Sequence, residues 1–310
     1  MVGKPARCPT GSRGRQVGVL NGSGEDGSAC RGAPLTASVH RAAVLGKPIA
    51  HSLSPVIHNA GYAAAGLTGW SYTRIECSAA ELPDLVGGLG PEWAGLSVTM
   101  PGKEAALAVA DAASPVAVAV GAANTLVRRP DGSWYADNTD VAGMVHVLTD
   151  AGVTAGAAVT VLGAGGTARA ALAAAAQLAC SSVTVVARRP EAVDELRPVA
   201  DALGVALTPA PWADAPRRLG TADVVVSTVP KGVADPLAGA VAWRPGAVFF
   251  DALYDPWPTP LATAADAAGC RIVSGLDLLL AQAVGQFEQF TGMPAPRTAM
   301  AAALAAARAA

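Results

Sequence analysis

Residues 157–191 read AAVTVLGAGGTARAALAAAAQLACSSVTVVARRPE. An apolar run from Val159 to Leu162 meets a glycine-rich turn, an alanine-rich stretch follows, and a second apolar run spans Val183 to Val186. Two apolar strands joined through a helix form a βαβ unit, whose parallel strands are buried on both faces. The turn has the spacing Gly163-x-Gly165-x-x-Ala168, directly after a strand and at a helix start. There, Gly163 permits the tight turn and Gly165 lets backbone N–H groups reach a pyrophosphate, while Ala168 lets the helix pack close to the strand. The helix N-terminus adds partial positive charge for the phosphates. A plain structural turn is the alternative. The strand–turn–helix context favours a dinucleotide site built from Gly163, Ala164, Gly165, Gly166, Thr167 and Ala168.

The second strand ends in Ala187, Arg188 and Arg189. An NAD-preferring site usually places Asp or Glu there for the ribose 2′-hydroxyl. Guanidinium groups match a 2′-phosphate bidentately, so NADP is favoured over a reading of two solvated arginines. Glu191 falls in the first turn of the next helix, where a carboxylate complements the dipole, and is not read as a ribose ligand.

Downstream, ADVVVSTVP, GAVFFDALY and CRIVSG supply further short buried strands. Upstream, Val44 and Leu45, WSYTRIEC, AGLSVTM, AANTLVRR and WYADN read as strands. Helices are expected after Pro55, in ELPDLVGGL and in KEAALAVADAA, and Asp131-Gly132 reads as a hairpin turn. Asn138, Thr139 and Asp140 can each cap the helix VAGMVHVLTDAG. The C-terminal segments LDLLLAQAVGQFEQFTG and PRTAMAAALAAARAA are helical. Strands alternating with helices argue for two α/β domains, the second of Rossmann type.

The chain has 310 residues, 52% hydrophobic and 15% charged, with a net charge of −2. Mean hydropathy is +0.37 and the pI is near 6.1. No basic field exists to attract nucleic acid, and no apolar run nears the roughly 20 residues a bilayer demands. A small-molecule partner is expected. The cysteines (Cys8, Cys30, Cys77, Cys180, Cys270) are scattered without metal-ligand spacing, which fits a reduced cytoplasm. His40, His51, His58 and His146 show no ligand spacing either, so no metal is implied, and His58 and His146 read as helix residues. Met1 to about His40, rich in Gly, Ser and Arg, reads as a disordered tail or as the product of a start placed upstream of the true one.

The N-terminal half carries its polar residues at strand ends and in one loop. Ser52 and Ser54 share that loop, Thr99 ends a strand, Lys103 opens a helix in GLSVTMPGKE, and Asn124 and Asp140 follow. In a chain so sparing of charge, a lysine beside an apolar strand end calls for a reason. Taken alone it reads as a solvated residue, the serines and Asp140 as helix caps, and Asn124 as part of a turn. Together they are hydroxyls, an amide and a cation–anion pair, an inventory suited to a polyhydroxylated carboxylate.

The segments GKPIAHSLSP, LSVTMPGKEAAL, GAANTL, DNTD, GAGGTAR, STVP, YDPWPTPL and SGLDLLLAQA occur in this order. From about Ala43 to about Pro296 the chain thereby resembles shikimate dehydrogenases. The resemblance implies an NADP-dependent oxidoreductase that interconverts 3-dehydroshikimate and shikimate in aromatic amino-acid (chorismate) biosynthesis. It implies that Lys103 and Asp140 are the catalytic pair. Ser52, Ser54, Thr99, Asn124 and Gln282 match residues that hold the substrate carboxylate and hydroxyls, and Tyr254 matches a tyrosine of the site. Gly275 matches a glycine near the nicotinamide, and Thr228, in STVP, joins the cofactor set. Ala187-Arg188-Arg189 stands where the family commonly has Asn-Arg-Thr, Asp277 where a glycine is common, and STVP where Asn-Ala-Thr is usual. The implied architecture is a discontinuous substrate domain, 41–139 plus 276–310, around an NADP-binding Rossmann domain, 140–275. Hydride reduction of a carbonyl puts alkoxide character on oxygen, which a nearby cation stabilises. Lys103 can donate the proton while Asp140 orients it and shares the acid–base role. Two other readings stand beside this one: a quinate/shikimate dehydrogenase using NAD, and a non-catalytic shikimate-binding regulator. A homodimer is compatible with the resemblance.

Overall fold

The computed structural model describes residues 39–309. The tail expected up to about His40 lies outside the described residues, except at its end, where His40 already opens the first strand. The first half of the fold runs β1 (His40–Gly46), α1 (Ser54–Ala64), β2 (Trp70–Glu76), α2 (Leu82–Gly87), β3 (Trp93–Val98) and α3 (Lys103–Val109). It continues with β4 (Ala112–Ala113), α4 (Pro115–Val120), β5 (Thr125–Arg128), β6 (Trp134–Asp137) and α5 (Thr139–Asp150). The helix read through KEAALAVADAA is shorter than expected: α3 stops at Val109, and Ala112 and Ala113 pair with β6 instead.

These strands form a six-stranded sheet in the order β2-β1-β3-β5-β6-β4. β1 runs parallel to β2 and β3, whereas β5 is antiparallel to β3 and β6. Side chains alternate across a strand, and the two faces bury different sets. Ala43, Leu45, Leu96 and Val98 enter one core, while Ala42, Val44 and Tyr72 enter another.

The second half runs β7 (Ala158–Leu162), α6 (Gly166–Gln177), β8 (Ser182–Ala187), α7 (Pro190–Asp194), α8 (Arg197–Leu203) and β9 (Leu207–Pro211). Then come α9 (Ala215–Thr221), β10 (Val224–Ser227), β11 (Val248–Asp251), α10 (Pro260–Ala267) and β12 (Arg271–Ser274). All six strands are parallel, in the order β12-β11-β10-β7-β8-β9. That is the doubly wound order, reversing direction between β7 and β10, where such sheets bind ligands at their carboxyl ends. Val224, Val226, Val248 and Phe250 face one buried layer; Val225 and Phe249 face the other. Both faces are covered, which is why these strands read as unbroken apolar runs.

α11 (Gly275–Thr291) and α12 (Arg297–Ala309) return to the first sheet. Leu276, Phe287, Phe290, Met300 and Leu304 pack with Ala42, Val44, Ile57 and Tyr72 in one core. Among the described residues, no helix is long and apolar enough to cross a membrane.

Candidate active site

β3 delivers its chain end to the site through a tight turn. Thr99 N donates to Leu45 O at 2.8 Å, Gly102 N to Thr99 O at 2.9 Å, and α3 opens at Lys103. Lys103 Nζ lies 2.5 Å from Asp140 Oδ2, with side chains only 19% and 12% exposed. A cation at the first residue of a helix is opposed by the helix dipole, whereas a carboxylate in a first turn is favoured. Asp140 occupies the first turn of α5. The carboxylate, not the helix, therefore holds the ammonium in place, and the solvated-lysine reading fails. Asp140 is no cap either. The N-cap position of α5 is Asn138, without a side-chain capping bond, and its Nδ2 donates to Ala122 O at 2.9 Å.

The pair lines a small cavity of about 180 Å³. Ser52, Ser54, Thr99, Asn124, Tyr254 and Gln282 line the same cavity, and Gly275 closes one side. The two serines do not cap α1, whose N-cap residue is Leu53. Their loop is fixed from β2 instead, where Arg74 Nε and Nη2 both donate to Ser52 O at 2.9 and 2.5 Å. Gln282 Nε2 donates to Leu279 O at 2.9 Å. Burial, reinforced by the Asp255 charge, raises the Tyr254 phenol above its ordinary value, so at neutral pH it remains a donor.

A larger cavity of about 690 Å³ adjoins the first, and Thr99, Lys103 and Thr167 line both. Its walls include Gly163, Ala164, Gly165, Gly166 and Thr228 on one side and Arg188 and Arg189 on another. Ala168 is wholly buried behind the turn, so its part is packing. Gly163 has φ +98°, and a Cβ there would stand 2.7 Å from Thr228 Oγ1. That hydroxyl and the Thr228 N–H both donate to Leu162 O at 2.8 Å, joining the ends of β7 and β10 at the switch point. At Gly165 and Gly166, by contrast, a Cβ would meet no protein atom within 4 Å and would project into open space. A backbone left bare at the N-terminus of α6 fits a close-lying phosphate. Arg188 and Arg189 are exposed and form no ion pair with any described residue. Their charge is thus available to an anionic group in the cavity. Glu191 stands in the first turn of α7, as expected. The donor set fits a dinucleotide carrying a 2′-phosphate.

Residues 44–126 match the family model of the shikimate dehydrogenase substrate binding domain, and residues 275–305 that of the shikimate 5′-dehydrogenase C-terminal domain. Shikimate dehydrogenase (NADP(+)) of Methylobacterium radiotolerans is 40% identical over 272 residues, covering 85% of this chain and 95% of the relative. The chain belongs to the shikimate dehydrogenase family. Among solved structures, Mycobacterium tuberculosis shikimate dehydrogenase superposes with a TM-score of 0.79 at 52% identity, covering 86% of this chain and 99% of that one. The shikimate 5-dehydrogenase of Thermus thermophilus in complex with NADP(H) and shikimate gives 0.75 at 31% identity, covering 87% and 100%.

For a shikimate dehydrogenase family member, the site holds residues that motif reading passed over. His51, Ser97 and Gln286 line the small cavity, and Glu104 and Trp212 line the larger one. Gln286 lies four residues after Gln282 on the same helix face, a spacing that was available in the sequence. Ser97 sits inside an apolar strand and Trp212 follows an edge strand, and neither carried a motif.

Proposed function

We propose that this chain is an NADP-dependent shikimate dehydrogenase in which Lys103 and Asp140 form the acid–base pair. The observation that carries the reading is the position of that pair. Lys103 lines both cavities, so it stands where a substrate in the smaller meets a cofactor in the larger. Bound NADP(H) supplies or takes the hydride. Lys103 Nζ stabilises negative charge developing on the carbonyl oxygen of 3-dehydroshikimate and delivers the proton that completes the hydroxyl of shikimate. Asp140 keeps the ammonium oriented, and in the reverse direction the pair accepts the proton. Ser52, Ser54, Thr99, Asn124, Tyr254 and Gln282 hold the carboxylate and the remaining hydroxyls.

Gly163 to Thr167 receive the pyrophosphate and Thr228 lines the cofactor cavity beside them; Arg188 and Arg189 receive the 2′-phosphate; and Gly275 lets the backbone approach the nicotinamide. The proposed division of labour is a substrate domain of residues 41–139 plus 276–310 and a nucleotide domain of 140–275. The common core of α1, β1, β2, α11 and α12 supports that discontinuity. A cytoplasmic location belongs to the same proposal, with which the free thiols of Cys77, Cys180 and Cys270 are compatible.

The test is turnover with shikimate or quinate, each with NADP or NAD. Shikimate with NADP should dominate. Absence of turnover with all four pairs would leave a binding protein, and preference for quinate with NAD would move the chain to the catabolic branch.

A further inference from the structure

Beneath the small cavity runs a chain of buried, uncharged hydrogen bonds. Tyr72 Oη donates to Ser97 Oγ at 2.5 Å, and Ser97 Oγ donates to Gln286 Oε1 at 2.6 Å. Gln286 Nε2 donates to Asn124 O at 3.1 Å and to Thr125 Oγ1 at 3.0 Å. Thr125 Oγ1 in turn donates to Asn124 Oδ1 at 2.8 Å, and Thr139 N donates to the same oxygen at 2.8 Å. Gln286 and Thr125 are both fully buried.

Two backbone groups fix the direction of this chain. The Thr139 N–H can only donate, so the Asn124 atom facing it must be the oxygen. The Asn124 carbonyl can only accept, so the Gln286 atom facing it must be the amide nitrogen. It follows that Gln286 Oε1 faces Ser97, and that Ser97, which donates to it, accepts from Tyr72. Burial raises the Tyr72 phenol well above its ordinary range, so it stays a donor. With Oδ1 taken on the inner side, Asn124 can offer the cavity only its Nδ2, which points toward Gln282 Oε1 at 3.5 Å. Ser97 and Gln286 line the cavity too, but their donors are already engaged.

We infer that Gln286 is a positioning residue that, through the Asn124 carbonyl and the Thr125 hydroxyl, holds the Asn124 side chain in register, so that the donor end which the Thr139 N–H turns outward meets the substrate. The inference rests on reading the small cavity as the substrate site. A substrate is then selected for an acceptor at that point, a hydroxyl or carbonyl oxygen. Loss of Gln286 frees Thr125 to turn its hydroxyl elsewhere and releases the Asn124 carbonyl, so the Asn124 amide, still turned by the Thr139 N–H, is held less firmly against the cavity, weakening substrate binding rather than the chemical step.

The experiment is a double-mutant cycle between Gln286→Met and Asn124→Ala, read as KM for shikimate, KM for NADP and kcat. Gln286→Met alone should raise KM for shikimate about tenfold, the cost of roughly one hydrogen bond, with kcat and KM for NADP within threefold. In the Asn124→Ala background the same substitution should add less than twofold. A Gln286→Met enzyme with parental KM, or an equal rise in both backgrounds, overturns the inference, since a merely structural role adds independently. If Gln286→Met does not fold, Thr125→Val is placed in the same cycle with the same expectations. Asn124→Ala alone separates the two levels. Parental shikimate binding there sinks the reading of the cavity itself, whereas weak binding there with a silent Gln286→Met sinks only the positioning role.

Discussion

Gly275 faces the carbonyl of Ala252 so closely that a Cβ on the glycine would stand 2.2 Å from the Ala252 oxygen and 3.0 Å from that of Leu253. The contact joins the N-terminus of α11 to the chain leaving β11, and both sides of it line the small cavity. The obstacle is backbone, which cannot rotate aside as a side chain can. Gly275→Ala should therefore cost about 1–3 kcal/mol of stability, as overpacking does, and also lower kcat/KM by displacing the wall. Gly165 is the contrasting case. Its φ of −90° with ψ −167° is extended backbone, and its Cβ would enter open space. Gly165→Ala should leave stability unchanged or raise it by about 0.4–1 kcal/mol, yet raise KM for NADPH. Thermal midpoints and cofactor KM values for both variants check the pair. A Gly165→Ala enzyme with parental NADPH kinetics would mean that no phosphate approaches that turn.

Breaking the Lys103–Asp140 pair tests the chemistry. Lys103→Ala should reduce kcat by roughly 10² or more, the scale of acid–base catalysis, while KM for shikimate moves much less. Asp140→Asn keeps the shape, removes the charge and should behave similarly. Steady-state kinetics at saturating NADPH decide it, and a Lys103→Ala enzyme with near-parental kcat would remove the pair from the mechanism.

The parts of the fold legible in sequence were those whose signal is local. β7, β8, β10 and β11 are buried on both faces and read as apolar runs, and the glycine turn follows its strand directly. Asp140 and Lys103 stand at helix starts that their own segments announce. Other parts were hidden for identifiable reasons. β9 carries Pro209 and Pro211, which an edge strand tolerates but which argue against a strand when read alone. β4 is two residues long and exists only through its pairing with β6. α4, in the run PVAVAV, is too short and too evenly apolar to show a helical period. In the site, the role of Gln286 depends on partners at Ser97, Asn124 and Thr125, far away in the chain. The departure at Asp277 became intelligible only with its geometry. Its carboxylate accepts from Ser274 N and Oγ, both at 2.7 Å, in a capping box that starts α11.

In the proposed reading, cofactor choice rests on Arg188 and Arg189. Both are exposed and line the larger cavity near the end of β8. A 2′-phosphate near pH 7 carries close to two negative charges, and a hydrogen bond to a charged group contributes about 1.5–3 kcal/mol. The asparagine absent at Ala187 would have added a neutral hydrogen bond, worth about 0.5–1.5 kcal/mol. The arginines should therefore outweigh its loss. Replacing both by alanine should raise KM for NADPH roughly 10- to 100-fold and leave NADH kinetics almost unchanged. A parental enzyme that uses NADH as well as NADPH would overturn the assignment.

His58 supplies a prediction about acid stability. It is wholly buried in α1, its ring stacked 4.1 Å from that of Tyr72 and near those of Tyr62 and Phe290. Burial lowers its pKa from 6.5 to about 3, with only partial opposition from Gln286. In the unfolded chain the imidazole takes up a proton near its ordinary pKa; in the folded protein it stays neutral until far lower pH. The unfolded state thus binds more protons between these values, so this contribution to stability is complete above about pH 6.5. It is lost as pH falls toward 3, by up to about 1.4 kcal/mol per pH unit. His58→Phe keeps a ring in the stack and removes the titration. Urea unfolding of parent and variant should show the largest advantage for the parent at pH 7.5, shrinking or reversing by pH 5. Curves that stay parallel over that range would mean that the folded protein accommodates the imidazolium, and that burial among the three rings does not exclude its charge.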